Sequence, residues 1–248
     1  SKYEAELSRF EKQELSVILS AIERFEAFVK LFPKEEQYTP DAMFRLAELY
    51  YQKAKQEFDA TREQRIAEYE KRLDMFDEGL IDDEPKSPHP DFYNSLKYYN
   101  IIARDFPNYR YISDVYYLMA YAYQEQGDLP LVRRAFEDLI TSRPDSKYVA
   151  EAYLRIGDAY FNEHNYEPAL QSLLRAATYQ DSILYDQILY KLASTYFILN
   201  RFDESIRTFA RLNDYSEELL LKKNRHSYFR DESVKYIAFC YAQGTEYW

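Results

Sequence analysis

The sequence predicts an all-α solenoid of stacked helical hairpins, and three observations predict it. Only four of the 248 residues are glycine and nine are proline, too few tight-turn formers for a β-rich fold. Small residues recur on helical apolar faces at positions 47, 120, 157, 193 and 238, and two of the intervals, 37 and 36 residues, are nearly equal. Much of the apolar content is aromatic, with 27 tyrosines and 16 phenylalanines. A tyrosine buries its ring but needs a partner or water at its hydroxyl, which suits thin layers with much half-buried surface.

Taken in order, Ala21, Phe25, Phe28 and Pro33 fit the second helix of a hairpin and its stop. MFRLAELYY then gives a first helix with Met43, Leu46, Ala47 and Tyr50 on one face. From Lys53 to Phe76 no helix-breaker occurs, and Ile66, Tyr69, Leu73 and Phe76 keep a heptad-like spacing. One helix is expected from about 41 to 77, about 55 Å long at 1.5 Å per residue. The alternative is a break near Asp59–Thr61, where TREQ offers a capping box. FDEGLIDDEPKSPHPD reads as an acidic loop, so residues 53–91 form an insertion of long helix and loop. Ser95, Tyr99, Ile102 and Pro107 fit another second helix.

The repeat is clearest from here onward. YYLMAYAY carries Tyr116, Met119, Ala120 and Tyr123, followed by Val132, Phe136, Leu139 and Pro144. YLRIGDAYFNEHNYEP carries Tyr153, Ile156, Gly157 and Tyr160, with Ala169 twelve residues after Gly157 and then Leu173 and Ala176. Small residues at Gly157 and Ala169 let two antiparallel helices approach closely. LYKLASTYF repeats this with Leu189, Leu192, Ala193 and Tyr196, then Ser205, Phe209 and Leu212. Residues 213–230 stretch the next interval to 45 and read as an extended second helix plus loop. VKYIAFCYA is a last first helix, with Val234, Ile237, Ala238 and Tyr241 as its packing face. The whole of 1–248 is expected to be one solenoid and a segment of a longer array, since neither end shows a polar capping helix.

A formal net charge of −11 disfavours nucleic acid, and no Lys/Arg stripe interleaved with aromatics is present. No apolar run approaches the roughly 18 residues of a membrane span. Cys240, the single cysteine, lies on an apolar helical pattern and reads as packing. His89, His164 and His226 have no second His or Cys at metal-ligand spacing, and there is no phosphate-binding glycine loop or nucleophile elbow. Forty-three carboxylates make any catalytic pair uninformative. No catalytic residue, cofactor or metal is expected.

These helix–turn–helix units resemble the tetratricopeptide repeat of about 34 residues. The resemblance implies a right-handed superhelix whose first helices line a concave groove for a protein or peptide. Three before, one after and four after each small residue, the groove positions are Phe44, Glu48 and Tyr51; Tyr117, Tyr121 and Gln124; Leu154, Asp158 and Phe161; Tyr190, Ser194 and Phe197; and Lys235, Phe239 and Ala242. The family's carboxylate clamp of Lys, Asn and Arg is not matched, since Phe44, Glu48 and Tyr117 stand at those places. FPKEEQYTPDAMFRLAELYYQKA and RPDSKYVAEAYLRIGDAYF, with P-x-S-x-Y-x-x-x-A between repeats, are similar to Gram-negative envelope scaffolds of this type. Those include outer-membrane assembly lipoproteins, Tol-Pal coordinators and gliding-motility proteins. The likeness implies a periplasmic, non-catalytic scaffold in assembly of a multiprotein complex. The competing expectations are the helical superstructure of an envelope enzyme such as a lytic transglycosylase, or an RNA-binding repeat, with a cytoplasmic location as the alternative.

Overall fold

A computed structural model describes residues 2–245, and every regular element in it is an α-helix. The chain divides into two compact units, one up to Asp128 and one from Leu129.

The first unit holds α1 (Lys2–Leu31), α2 (Thr39–Asp59), α3 (Arg62–Asp77), α4 (Tyr93–Asp105) and α5 (Ile112–Glu125). Helix α1 packs on α2, α2 on α4, and α4 on α5. Pro40 in the first turn of α2 suits a position with no intrahelical N–H bond to lose, and Thr39 Oγ1 ties the start of α2 to the Phe32 carbonyl. Leu46, Ala47, Tyr99 and Ile102 are almost fully excluded from water. The first helix α2 therefore finds its second helix in α4, although Ala47 and Ser95 are 48 residues apart and not 12.

The intervening segment departs from the single long helix expected over 41–77. The helix breaks at Ala60–Thr61 and restarts at Arg62, and α3 buries none of its residues. Thr61 Oγ1 points back, donating toward the Glu57 and Phe58 carbonyls at 3.1 and 3.3 Å. The TREQ box does not form: Thr61 makes no side-chain cap bond, and Gln64 instead pairs with Glu68 at 3.0 Å.

The second unit holds α6 (Leu129–Ser142), α7 (Val149–Asn162), α8 (Tyr166–Ala176), α9 (Tyr185–Ile198), α10 (Phe202–Lys223) and α11 (Arg230–Thr245), each packed on the next. At the closest approach of α7 and α8, a Cβ placed on Gly157 would lie 2.8 Å from Leu173 Cγ and 3.4 Å from the Ala169 carbonyl oxygen. The equivalent crossing of α9 and α10 carries a hydrogen bond, from Ser205 Oγ to the Ala193 carbonyl at 2.9 Å. Two clusters fill the space around these crossings. Leu154, Leu170, Leu173, Ile188 and Leu192 form one; Tyr185, Leu189, Ala193, Phe209 and Leu212 form the other.

The turns repeat as closely as the helices. Gly127, His164 and Asn200, at φ of 73°, 61° and 57°, occupy the same left-handed position after α5, α7 and α9. In each turn the following N–H, of Asp128, Asn165 or Arg201, bonds back to a tyrosine carbonyl, of Tyr123, Tyr160 or Tyr196. His164 is thus a turn residue, with Nδ1 2.9 Å from the Tyr166 hydroxyl.

Helix α10 runs 22 residues, as the stretched interval over 213–230 predicts, and stops at left-handed Asn224. The connector behind it is pinned by buried polar groups: Ser227 N–H to Ser216 Oγ and Ser227 Oγ to Asp186 Oδ2, both at 2.9 Å. Cys240 is fully buried with Sγ 3.5 Å from Ser205 Oγ, and burial raises its thiol pKa, so it fills space between α10 and α11.

Candidate protein-binding site

In the first unit the predicted groove residues are largely engaged by the fold. Phe44 is boxed by the rings of Tyr99, Tyr109 and Tyr111 at 5.9, 6.2 and 6.2 Å. Tyr51 stacks on fully buried Phe92 at 4.6 Å and 10°, and its hydroxyl donates to Glu125, which Lys55 also holds at 2.9 Å. Glu48 pairs with Arg45 at 2.7 Å. Phe44 and Tyr51 fasten α2 to the α4–α5 connection and to the root of the insertion. Tyr117 and Tyr121 lie side by side on α5 with ring centres 4.8 Å apart, both half-buried.

Sequence reasoning missed a set of tyrosine–carboxylate ties in this unit. Tyr50 donates to Glu26 at 2.6 Å with Tyr98 beside it at 3.3 Å, and Tyr109 donates to Asp41 at 2.7 Å. No periodicity signals such pairs, because the partners are 24, 72 and 68 residues apart. Burial first, then the Glu26 charge, pushes the Tyr98 hydroxyl up to about 12; in the second unit, burial and then Glu232 raise Tyr190 to about 12. An unfolded tyrosine titrates at about 10, so the folded state favours the protonated ring; this stability is complete below about pH 10 and is lost as pH rises toward 12. The urea midpoint is expected to hold from about pH 7 to 9 and fall between about 10 and 12, together with rising tyrosinate absorbance. A midpoint unchanged up to pH 12 contradicts it.

The second unit presents a more open surface on its first helices. Asp158 of α7 meets Lys191 of α9 at 3.0 Å, with Arg155 3.6 Å from the other carboxylate oxygen. Lys191 Nζ also lies 5.7 Å over the ring of half-exposed Phe161, whose edge contact is Tyr166 at 5.3 Å. Further along, half-exposed Phe197 meets Tyr236 at 5.4 Å, and Tyr236 meets the 58% exposed Phe239 at 6.2 Å. The structure therefore links α7 to α9 through a neutral ion pair beside Phe161, and α9 to α11 through an aromatic row.

Three sequence expectations need correction here. Leu154 is fully buried in the α7–α8–α9 core and cannot line a groove, because α9 closes over that side of α7. Tyr190 stacks on Phe229 at 4.7 Å and 20°, so its ring is spent holding the α10–α11 connector. On α11, Val234 and Tyr241 were expected to pack, yet they are 53% and 61% exposed. Ser233 and Cys240 are the buried positions, and Tyr236 and Ile237 pack against the α9–α10 cluster. A first helix has two packing sides, and only the side toward α10 is covered among the described residues. Lys191 and Tyr236, which organise the surface, each lie one position off the pattern used to find it.

The arrangement offers shape and apolar contact. No group of three or more His, Cys, Asp or Glu side chains able to hold a metal ion occurs among the described residues. Among the described residues, no helix is long and apolar enough to cross a membrane.

Residues 114–146 match a sequence profile of the tetratricopeptide repeat, and residues 150–182 and 186–218 match a second. Residues 114–146 run over α5 and α6 in sequence, and the other two segments coincide with the hairpins α7–α8 and α9–α10. The chain carries tetratricopeptide repeats. Among solved structures, BtubC from P. vanneervenii is 13% identical, with 95% of this chain and 84% of that one covered and a TM-score of 0.52. The apo form of RapI is 11% identical, with 96% and 72% covered and a TM-score of 0.50. At such identities the likeness speaks for the fold alone. No curated protein sequence matches the chain.

The tetratricopeptide fold also accounts for α2 and α4. They pack as the two helices of one hairpin, although neither profile reaches them.

Proposed function

We propose that this chain is a non-catalytic scaffold that holds a protein or peptide segment on the first-helix surface of its second unit. The observation that carries this reading is the aromatic row of Phe197, Tyr236 and Phe239, with Phe161 beside the Asp158–Lys191 pair. Aromatic rings left half-exposed over neutralised charges are the composition of a hot-spot surface. Because Asp158 occupies Lys191, the surface has no basic clamp there for a free C-terminal carboxylate, and it suits an internal apolar segment. We further assign the scaffold to assembly of a multiprotein complex in the cell envelope, in the periplasm. The similarity of its connector phrases to envelope proteins of the same repeat supports that assignment.

Affinity capture from an envelope extract, followed by calorimetry with the purified partner, tests both statements. Phe161→Ala is expected to weaken binding by about 2 kcal/mol, as hot-spot truncation does, with little change in melting temperature. Full affinity in Phe161→Ala and Phe197→Ala would place the ligand elsewhere, and Tyr121→Ala reports separately on the α5 face. Recovery of the protein only from the cytosolic fraction would overturn the envelope assignment.

A further inference from the structure

We propose that the second unit holds a small-molecule site for an amino-acid zwitterion with an apolar side chain, in the cleft between the α8–α9 connector and α10. The cleft measures about 500 Å³, within the range of small-ligand sites. It shares no lining residue with the surface assigned to a partner segment, so either reading can fail without the other.

Two departures from the repeat meet there. The first concerns the opening residue of each first helix, eight before the small position. Helices α2, α5 and α7 carry Thr39, Ile112 and Val149 at that place. Helix α9 carries Tyr185, a phenol ring where the others have a smaller side chain, and it is only 3% exposed. The second departure is the length of α10, whose 22 residues outrun the 14 of α6 and the 11 of α8. Residues 211–223 of α10 form one wall of the cleft and residues 180–183 of the connector form the other.

The Tyr185 hydroxyl is shielded from water and meets no hydrogen-bond partner in the chain. A buried hydroxyl left unmet is costly, and it calls for a partner from outside the chain. The ring packs edge-on to Tyr215 at 5.0 Å, and the Arg211 guanidinium stands over it, 5.4 Å from its centre. Burial raises the Tyr185 pKa more than the Arg211 charge lowers it, so the hydroxyl keeps a proton to donate. Arg211 can only donate, and it leaves that proton without an acceptor whatever its own orientation. Arg211 forms no ion pair among the described residues, and a guanidinium takes a carboxylate through two parallel N–H bonds. A carboxylate drawn to Arg211 therefore arrives beside the ring whose hydroxyl needs an acceptor.

The rest of the cleft asks for the opposite charge. Arg211, Lys222 and Lys223 balance Asp181, Asp214 and Glu218, so the lining is neutral in sum. Lys222 is held by Glu218 at 3.0 Å, whereas Asp181 and Asp214 have no cation at ion-pair distance. Asp214 lies three residues along α10 from Arg211, hence on the same face. Ile183, 81% exposed, and buried Leu219 add apolar contact. A carboxylate, an ammonium and an apolar side chain on one small frame answer these three features. A phosphate would instead bring two charges beside unpaired carboxylates.

Calorimetry on the full chain with L-leucine and L-phenylalanine tests this, with N-acetyl-L-leucine and L-leucine amide as probes that each lack one charge. One saturable site is expected for both amino acids, and each blocked probe should bind about tenfold more weakly, the loss of a hydrogen-bonded charge. Tyr185→Phe should weaken L-leucine about tenfold while the ligand-free melting temperature holds or rises, since it drops an unmet hydroxyl and keeps the ring. Asp214→Asn should narrow the gap between L-leucine and N-acetyl-L-leucine, which a purely structural role would leave untouched. No saturable binding of either amino acid up to about 10 mM overturns the proposal. Equal affinity for L-leucine and its N-acetyl form, or undiminished affinity in Tyr185→Phe, overturns it as well.

Discussion

Phe209→Ala is expected to lower the stability of the second unit by about 3–5 kcal/mol, the range for deleting a fully buried aromatic ring. The Phe209 ring is 0% exposed, stacks on Tyr236 at 5.3 Å and 13°, and receives the edge of Tyr190 at 6.0 Å. It sits on α10 between a helix on either side, so the cavity would loosen α9 and α11 together. Urea titration followed by circular dichroism, with hydrogen exchange resolving α11 from α7, measures both consequences. A loss below about 1 kcal/mol would show that the neighbouring tyrosines collapse into the space.

Gly157→Leu is expected to cost about 3 kcal/mol, the upper end for overpacking. Even one added carbon would meet Leu173 at 2.8 Å, and Leu173 is itself locked at 1% exposure in the core cluster. The strain falls on the α7–α8 crossing, so both helices must separate to admit the side chain. Gly157→Ala, with the same first carbon, should lie between the wild type and the leucine variant in melting temperature. An unchanged melting temperature in Gly157→Leu would mean that the crossing does not pass through Gly157.

Much of this fold is legible in the sequence because a repeat states each rule several times. Gly157 with Ala169 and Ala193 with Ser205 announce their crossings by a separation of twelve residues, and the structure places both pairs at close approach. The pairing of α2 with α4 escaped the same reasoning because 48 residues separate Ala47 from Ser95, and a spacing rule is silent across an insertion. The heptad-like run of Ile66, Tyr69, Leu73 and Phe76 suggested continuity with α2, but periodicity reports a face and not an unbroken backbone. At the break itself the Thr61 hydroxyl bonds back to the Glu57 and Phe58 carbonyls, a choice that no periodicity encodes.

The candidate surface was legible only by position. Counting from the small residue finds Phe161 and Phe197, which are half-exposed, and with equal ease Leu154, which is fully buried. The count carries no information on what the next helix covers. Tyr190 was lost to Phe229, which arrives through a connector of irregular length.

The insertion between α2 and α4 has a consequence for how this chain can diverge. Its return is held where Phe92, fully buried, stacks on Tyr51, and Pro85 and Pro90 are buried beside that return, while α3 buries no residue. Hairpin pairing at the root is then nearly indifferent to the length between, since closing a loop twice as long costs only about 0.6 kcal/mol more. A lineage carrying this chain is free to lengthen, trim or exchange the segment as a cassette while the repeats on either side keep their register. Inside a packed helix, by contrast, an inserted residue rotates every face that follows it in that helix. Here natural variation in length has a place to accumulate, and new surfaces can be tried at a single address without re-solving the fold.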